Sequence, residues 1–294
     1  MPRAIKIFLF LGGILVVFFL YHTLHSPTVV ENARVKYWEE RIHSTGAAPA
    51  YRELLSSTTE HFEGHYFGTA LYQEQGISGM TVCDDTLQYA CLHEMYGRAL
   101  AEYGLPIIKK LDTICAKSAD PLVCEHGIGH GLVGYFGYTK TSALQSVAAC
   151  KSISKHGDVV GACESGLFME YFNRTMLPGT EPFPVSQAAP YAPCDELALG
   201  EHDMPQCVFE FPRLWFSSLF KNERTPEHLK QLGLYCQKYD SIPALRTVCA
   251  RGAAEIVVHA QTLEESKKVC GQIFTVDDKK NLCEGQVERL FNLQ

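Results

Sequence analysis

Five of the twelve histidines recur at regular positions in the N-terminal half of this 294-residue chain. His61, His93 and His126 are separated by 32 and 33 residues, and His65 and His130 follow the first and third of them by four residues. Four residues return a helix to nearly the same face, so this spacing predicts two pairs of converging imidazoles. Paired histidines on one helical face are typical of metal-binding sites.

The third histidine of the series, His93, is expected to complete a site with either pair, because packed helices lie about 8–10 Å apart. Carboxylates that could bind the metal or orient the imidazoles are Glu63, Glu94 and Glu125. The sequence thus predicts a divalent metal ion or haem, held in two sites or one dinuclear site. A zinc-protease helix is disfavoured, because Gly97 stands where that motif needs its second histidine.

Two other interpretations of these histidines stay open. They could be packing residues bonded to backbone carbonyls, or they could perform general acid–base catalysis without metal. Four glycines at positions 127, 129, 131 and 134 share a helix with His126 and His130, and each costs about 1 kcal/mol relative to alanine. Such a penalty predicts either a functional site or a very close backbone contact between packed helices.

Three further glutamates, Glu170, Glu210 and Glu255, lie deeper in their predicted helices and could line the same groove. A solvated or salt-bridged position explains these residues as well, so they are not assigned to the site.

The twelve cysteines form six consecutive pairs with seven, eight or twelve residues inside each pair. The pairs are Cys83/Cys91, Cys115/Cys124, Cys150/Cys163, Cys194/Cys207, Cys236/Cys249 and Cys270/Cys283. No Cys-x-x-Cys motif is present, which argues against zinc knuckles and thioredoxin-type redox chemistry. The even count and regular spacing predict disulfides between neighbours in an oxidising compartment.

The second cysteine of each pair recurs at steps of 33, 39, 44, 42 and 34 residues, a period typical of stacked helical hairpins. An apolar helix, here called helix A, follows each second cysteine, and a shorter helix B ends at the next first cysteine. The sequence therefore predicts an all-α, right-handed solenoid of about seven hairpins. Asp120-Pro121 and Thr225-Pro226 resemble helix starts, and Ser57 with Glu60 has the spacing of a capping box.

The segments CDDTLQYAC and CAKSADPLVC place a cysteine at the end of one helix and another early in the next. In this respect the chain, from Thr58 to its end, resembles the disulfide-rich Sel1-like and tetratricopeptide-type repeat proteins. The resemblance implies a helical scaffold of the kind that often binds proteins or peptides. It transfers no catalytic residue, and the catalytic residues are unknown.

The N-terminal segment combines Arg3 and Lys6 with an uncharged run from Ile7 to Tyr21, followed by Glu31. This pattern predicts a membrane anchor with a cytoplasmic N-terminus and an extracytoplasmic C-terminal domain; a cleaved signal peptide is the alternative. The expected organisation is an anchor (1–25), a juxtamembrane helix with a Gly-Ala-Ala-Pro-Ala hinge (26–50), N-terminal repeats (51–173), a proline-rich loop (174–193) and C-terminal repeats (194–294).

A net charge of −7 and a pI near 5.9 argue against nucleic-acid binding, which depends on clustered lysine and arginine. Two functional hypotheses follow. The first is a metal- or haem-binding protein with a histidine-lined groove that could also carry out redox or hydrolytic chemistry. The second is a scaffold that binds a protein or peptide on its concave face, with structural histidines. A metal-independent hydrolase or lyase is a third, weaker interpretation.

Overall fold

The computed structural model describes residues 27–84, 86–118, 120–153, 159–176, 185–258 and 262–292. Within these ranges the chain is helical and contains no β-strand, which confirms the all-α class. The α-helices are α1 (Pro27–Thr45), α2 (Ala47–Ser57), α3 (His61–Gln75), α4 (Ala90–Tyr103), α5 (Ile108–Cys115), α6 (Pro121–Phe136), α7 (Lys140–Cys150), α8 (Val159–Met176), α9 (Ala192–Asp195), α10 (Met204–Ser218), α11 (Pro226–Cys236), α12 (Pro243–Val257), α13 (Leu263–Ile273) and α14 (Asp277–Phe291). Short 3₁₀ helices cover Gly76–Val82, Thr86–Tyr89, Leu105–Ile107 and Gln237–Tyr239.

All twelve cysteines form the neighbour-to-neighbour disulfides that the spacing predicts, and no free cysteine remains. The bonds are Cys83–Cys91, Cys115–Cys124, Cys150–Cys163, Cys194–Cys207, Cys236–Cys249 and Cys270–Cys283. Each disulfide closes the loop between two consecutive repeats. Six such bonds indicate an oxidising environment outside the cytoplasm.

The apolar stretch that follows each second cysteine is helical, and the helix that contains it begins one to six residues before that cysteine. The second cysteines therefore lie within the first two turns of α4, α6, α8, α10, α12 and α14, at Cys91, Cys124, Cys163, Cys207, Cys249 and Cys283 respectively. All six are at most 3% exposed, because each sulfur is bonded to its partner within the packed interior. Five of the disulfides thus join two helices directly, whereas Cys83 follows the 3₁₀ helix Gly76–Val82.

Two of the three predicted helix starts are confirmed. The Asp120 side chain accepts a hydrogen bond from the Val123 amide at 3.2 Å, and Thr225 caps α11 in the same way. The capping box at Ser57 is wrong, because Ser57 is the last residue of α2 and its hydroxyl donates to the Leu54 carbonyl. A full capping box exists instead at the start of α13, between Thr262 and Glu265.

The chain divides into two compact units, one ending at Ala99 and the other beginning at Leu100. In the first unit, α1 packs against α3 through the buried Trp38 ring, whose centroid lies 5.5 Å from that of Phe67. Residues 47–50, expected to form a hinge, are helical. Gly46 separates α1 from α2 and has φ 87°. This backbone conformation costs glycine little, so α2 begins at the next residue.

In the second unit, five A helices pack in sequence: α6 on α8, α8 on α10, α10 on α12 and α12 on α14. The B helices pack beside them, with α7 contacting both α6 and α8. Helix α8 runs to Met176, three residues beyond the expected end of the N-terminal repeats. The end of the proline-rich loop is fixed to the second unit, because the Tyr191 hydroxyl donates to the Tyr235 carbonyl and the Trp215 indole donates to the Pro190 carbonyl, both at 2.7 Å.

Glycines bring neighbouring A helices into backbone contact. A Cβ atom on Gly129 of α6 would lie 2.0 Å from the Cys163 carbonyl oxygen of α8, and one on Gly166 would lie 1.9 Å from the His126 carbonyl oxygen. Gly252 of α12 meets the Phe209 carbonyl of α10 in the same way. The close backbone contact expected from the glycine-rich segment is confirmed, and the neighbour is the next helix A.

No helix among the described residues has both the length and the hydropathy needed to cross a bilayer. The predicted anchor at residues 1–25 lies outside the described ranges.

Candidate metal centres

The histidine pair of the second unit lies on α6. The Nε2 atoms of His126 and His130 are 3.1 Å apart, and their ring centroids are 4.9 Å apart. The two residues are four positions apart on one helix, which is why their rings meet. At this distance one imidazole can donate a hydrogen bond to the other, or both nitrogens can face a common ion.

The next helix A, α8, fixes the orientation of the His130 imidazole. Its Nδ1–H donates to Glu170 Oε2 of α8 at 3.0 Å, and the Tyr138 hydroxyl donates to the other carboxylate oxygen at 2.6 Å. A carboxylate that binds the Nδ1–H of a histidine selects the tautomer in which Nε2 is free to bind a metal. The side chain of His130 is only 9% exposed, so this orientation is also enforced by packing.

The charge state of His126 suits metal binding. Burial, reinforced by the positive charge of Arg213, lowers the pKa of His126 to about 4. The imidazole is therefore neutral at physiological pH, and a neutral imidazole is the form that ligates metals.

The pair of the first unit repeats this geometry on α3. The Nε2 atoms of His61 and His65 are also 3.1 Å apart, and their ring centroids are 4.8 Å apart. His61 Nδ1 donates to the Leu87 carbonyl at 2.8 Å, which leaves its Nε2 as the acceptor or ligand atom. Leu87 has φ 56°, a left-handed conformation that costs a branched residue about 1–2 kcal/mol. The strained turn directs its carbonyl at His61.

A carboxylate from the next helix A also stands behind the second histidine of this pair. Glu94 Oε2 of α4 lies 3.5 Å from His65 Nδ1, and Glu94 is held by Arg98 at 2.8 Å and by the Thr69 hydroxyl at 3.1 Å. Burial favours the protonated carboxyl, but the hydrogen bond from His65 and the charge of Arg98 outweigh it, so the pKa of Glu94 is lowered. Both pairs thus consist of two histidines on one helix and a glutamate on the following helix A.

His93 lies near the first pair, with its ring centroid 6.4 Å from those of both His61 and His65. For zinc–nitrogen bonds of about 2.05 Å, tetrahedral geometry places bound nitrogens about 3.3 Å apart and imidazole centroids about 5 Å apart. The two pairs meet both criteria within a few tenths of an ångström. His93 would have to move by about 1 Å to become a third ligand with His61 and His65.

The other two predicted carboxylates lie away from the histidines. Glu63 binds Arg34 and the Trp38 indole, because a residue two positions from His61 points to the opposite side of α3. Glu125 is 1% exposed and faces Asp112 of α5; burial, with a further contribution from Asp112, raises the pKa of Glu125 to about 9. Neither carboxylate orients an imidazole.

Two groups beside His130 are not predicted as its partners by the sequence pattern. Tyr138 gives no signal, and Glu170 enters only as a residue that could line the groove. Glu170 follows His130 by 40 residues, and only the packing of α8 against α6 brings it to the imidazole.

The two supporting glutamates also occupy different positions in their repeats. Glu94 lies three residues after Cys91, whereas Glu170 lies seven residues after Cys163. They are therefore offset by about one helical turn, and an alignment of the repeats does not superimpose them.

Comparisons of the chain with protein-family profiles, with curated proteins and with solved structures give no match.

Proposed function

We propose that this protein is a membrane-anchored, extracytoplasmic helical-repeat protein that binds metal ions through paired histidines. The observation that carries the proposal is the recurrence of one arrangement in both units, with Nε2 atoms 3.1 Å apart and a glutamate behind the second histidine. A purely structural role would explain a hydrogen bond from a histidine to a backbone carbonyl, as at His61. It would not explain why two pairs of imidazoles each bring their Nε2 atoms together. The proposed solenoid would stack the repeats so that helix A carries the metal ligands.

The geometry favours a metal ion over haem. The axial ligands of a haem lie on opposite faces of the porphyrin, and two imidazoles on adjacent turns of one helix leave no room for the ring between them. Imidazole nitrogen suits zinc and copper, and two protein ligands in each pair leave coordination positions for water, substrate or another side chain. We therefore propose a zinc- or copper-binding protein in which the open positions allow hydrolytic or redox chemistry.

Membrane anchoring by residues 1–25 is part of the proposal and depends on the uncharged run from Ile7 to Tyr21. The disulfides support it, because the cysteine-bearing part of the chain must reach an oxidising compartment. Fractionation of cells that express the full chain, with and without residues 1–25, tests this part. Release of the full chain by alkaline carbonate or high salt would contradict an anchor.

The metal proposal is tested by elemental analysis of the purified full chain and by titration with Zn²⁺ and Cu²⁺. We expect two ions per chain in the wild type and one in each double variant, His61→Ala with His65→Ala and His126→Ala with His130→Ala. The exposed His43 and His202 provide controls, one in each unit, and their alanine variants should keep both ions. An ion count of zero in every preparation would refute the proposal and leave a protein- or peptide-binding scaffold as the function to test.

A further inference from the structure

The disulfide of the first unit, Cys83–Cys91, is more accessible than the other five. Of the twelve cysteines, all of which lie among the described residues, Cys83 alone is half-buried. Each of the other eleven is at most 3% exposed. The residue that follows Cys83, Asp84, is exposed. A reagent in solution can therefore approach this bond from the Cys83 side, and accessible disulfides are the ones that exchange with thiols.

This disulfide encloses the turn that orients a metal-binding histidine. Between its two cysteines lies the 3₁₀ helix Thr86–Tyr89, whose Leu87 carbonyl accepts the hydrogen bond from His61 Nδ1 at 2.8 Å. The turn packs directly on α3, because a Cβ atom on Gly64 would lie 3.4 Å from the Leu87 Cβ atom. The segment that the disulfide closes is thus the one that fixes the tautomer of His61 and directs its Nε2 atom toward a metal ion.

The backbone of this turn needs a restraint to keep its conformation. Leu87 has φ 56° and Tyr89 has φ 60°, and such left-handed conformations cost free energy at residues other than glycine. The disulfide joins two residues only eight positions apart, which limits the alternatives open to the segment between them. When the bond opens, both residues can return to right-handed or extended conformations, and the Leu87 carbonyl turns away from His61.

Other contacts keep the two cysteines close together when the bond is open. The Tyr51 hydroxyl of α2 donates to Asp84 Oδ1 at 2.6 Å, and the Thr86 amide donates to the same oxygen at 2.9 Å. On the other side, a Cβ atom on Gly68 of α3 would lie 2.5 Å from the Cys91 carbonyl oxygen, so the start of α4 is packed against α3. Opening the bond therefore changes the turn without separating its ends, and the two thiols can form the bond again.

We infer that Cys83–Cys91 is a reversible thiol–disulfide switch that sets the metal affinity of the first histidine pair, and that its reductant is a dithiol. The inference rests on the proposed metal-binding function. In the reduced state His61 loses the carbonyl that orients it, whereas Glu94 remains beside His65. Reduction therefore weakens the first pair and does not abolish it.

The exchange follows the usual course of thiol–disulfide chemistry. A thiolate of the reductant attacks the Cys83 sulfur and forms a mixed disulfide, and Cys91 leaves as a thiolate that takes up a proton. Cys91 is the second residue of α4, and the N-terminus of a helix favours the negative charge of a departing thiolate. The second thiol of the reductant then attacks the reductant sulfur of the mixed disulfide, and Cys83 leaves as a thiol. Two electrons and two protons pass to the two cysteines, and the dithiol becomes a disulfide.

The first test measures the order in which the disulfides are reduced, and it requires no metal. The purified full chain in detergent is treated with increasing concentrations of dithiothreitol without denaturant, its thiols are blocked with iodoacetamide, and the modified cysteines are identified by mass spectrometry. We expect Cys83 and Cys91 to react at a dithiothreitol concentration at least about tenfold lower than the other ten cysteines. Reduction of another pair first, or of all six bonds together, would overturn the inference.

The second test measures zinc affinity after the bond is removed. In the double variant Cys83→Ser with Cys91→Ser we expect the first histidine pair to bind zinc about tenfold more weakly, as for the loss of a group that orients a ligand. The second histidine pair should keep its affinity in the same molecules. The matched control, Cys236→Ser with Cys249→Ser, removes a disulfide of the second unit and should leave the first pair unchanged.

A glycine variant separates the effect of the turn from a general loss of stability. Glycine adopts a left-handed conformation at little cost, so Leu87→Gly should restore several-fold of the zinc affinity that the serine double variant loses. Absence of any recovery would show that the disulfide does not act through this turn and would overturn the inference. If the serine variant fails to fold, the selectively reduced and alkylated wild type, freed of dithiothreitol, gives the same measurement.

The outcomes distinguish this inference from the proposed function. If the oxidised wild type binds no zinc, the proposed function is refuted, and the inference falls with it. If the oxidised wild type binds two ions and the first pair keeps its affinity without the Cys83–Cys91 bond, the inference alone is overturned.

Discussion

Replacement of Gly129 by alanine should destabilise the second unit, although alanine is the better helix former. The Cβ atom would lie 2.0 Å from the Cys163 carbonyl oxygen and 2.6 Å from the Leu167 amide nitrogen, and both are backbone atoms of α8. Ordinary van der Waals contact begins at 3.4 Å, so α6 and α8 would have to separate by roughly 1.4 Å at this point.

The magnitude follows from two opposing contributions. Overpacking of a core costs about 1–3 kcal/mol when side chains can yield, and backbone atoms yield less, so we take the upper end of this range or more. The helix propensity of alanine returns about 1 kcal/mol. We therefore expect a net loss of about 2 kcal/mol or more in the free energy of unfolding.

The same helix provides a matched control. Gly134 is exposed and a Cβ atom there would meet nothing within 4 Å, so Gly134→Ala should raise the free energy of unfolding by up to about 1 kcal/mol. Urea unfolding of both variants, followed by circular dichroism with the disulfides intact, measures the difference. We expect opposite signs. Equal stability of the two variants would refute the close packing of α6 against α8.

This substitution also links packing to the site. Separation of α6 from α8 would move His130 away from Glu170, whose contact at 3.0 Å depends on that packing. Gly129→Ala should therefore weaken metal binding at the second pair and leave the first pair unaffected. Zinc titration of the variant measures this effect.

Three other predictions concern the pH response, the metal support and the disulfides. Burial, with the charge of a neighbouring carboxylate, raises the pKa of Glu164 from 4.5 to about 8, so the folded state holds a proton that the unfolded chain loses. The contribution of this group to the free energy of unfolding should be complete below pH 4.5 and should fall by about 1.4 kcal/mol per pH unit up to about pH 8. In urea unfolding series at several pH values, Glu164→Gln should flatten this slope. Tyr138→Phe removes the hydroxyl that donates to the Glu170 carboxylate beside the second histidine pair, and it should lower the zinc affinity of that pair by about tenfold. Tyr135→Phe, which changes an exposed ring, should leave the affinity unchanged. Equal zinc affinities of the two variants in titrations would contradict this role of Tyr138. Replacing the Cys236–Cys249 disulfide by two serines should cost about 3 kcal/mol on the chain-entropy model, and unchanged chemical unfolding would show that the bond does not restrict the unfolded chain.

The sequence predicted several elements because their causes are local. Disulfide partners lie 8 to 13 residues apart, a proline after Asp120 or Thr225 favours a helix start, and apolar runs after each second cysteine favour helix A. The capping box at Ser57 failed for a local reason too: the spacing was right, but α2 extends to that residue and uses its hydroxyl at the C-terminal end. Pattern alone does not tell which end of a helix a serine occupies.

The histidine pairs were predictable from their four-residue spacing, but the groups that orient them were only partly so. Glu63 and Glu125 are near in sequence and point elsewhere, because one or two residues along a helix turn a side chain through about 100° or 200°. Glu170 is far in sequence and reaches His130 because Gly129 and Gly166 bring two helices into backbone contact.

The amino-acid sequence by itself determined the helical class, the six disulfides and the pairing of histidines on α3 and α6, since each depends on spacings of a few residues along one segment. The tertiary structure decided which carboxylate stands behind each histidine pair. This outcome depends on the distance and the register between separate helices. Glycine contacts and the burial of charge set that distance and register, and they act between residues that are far apart along the chain.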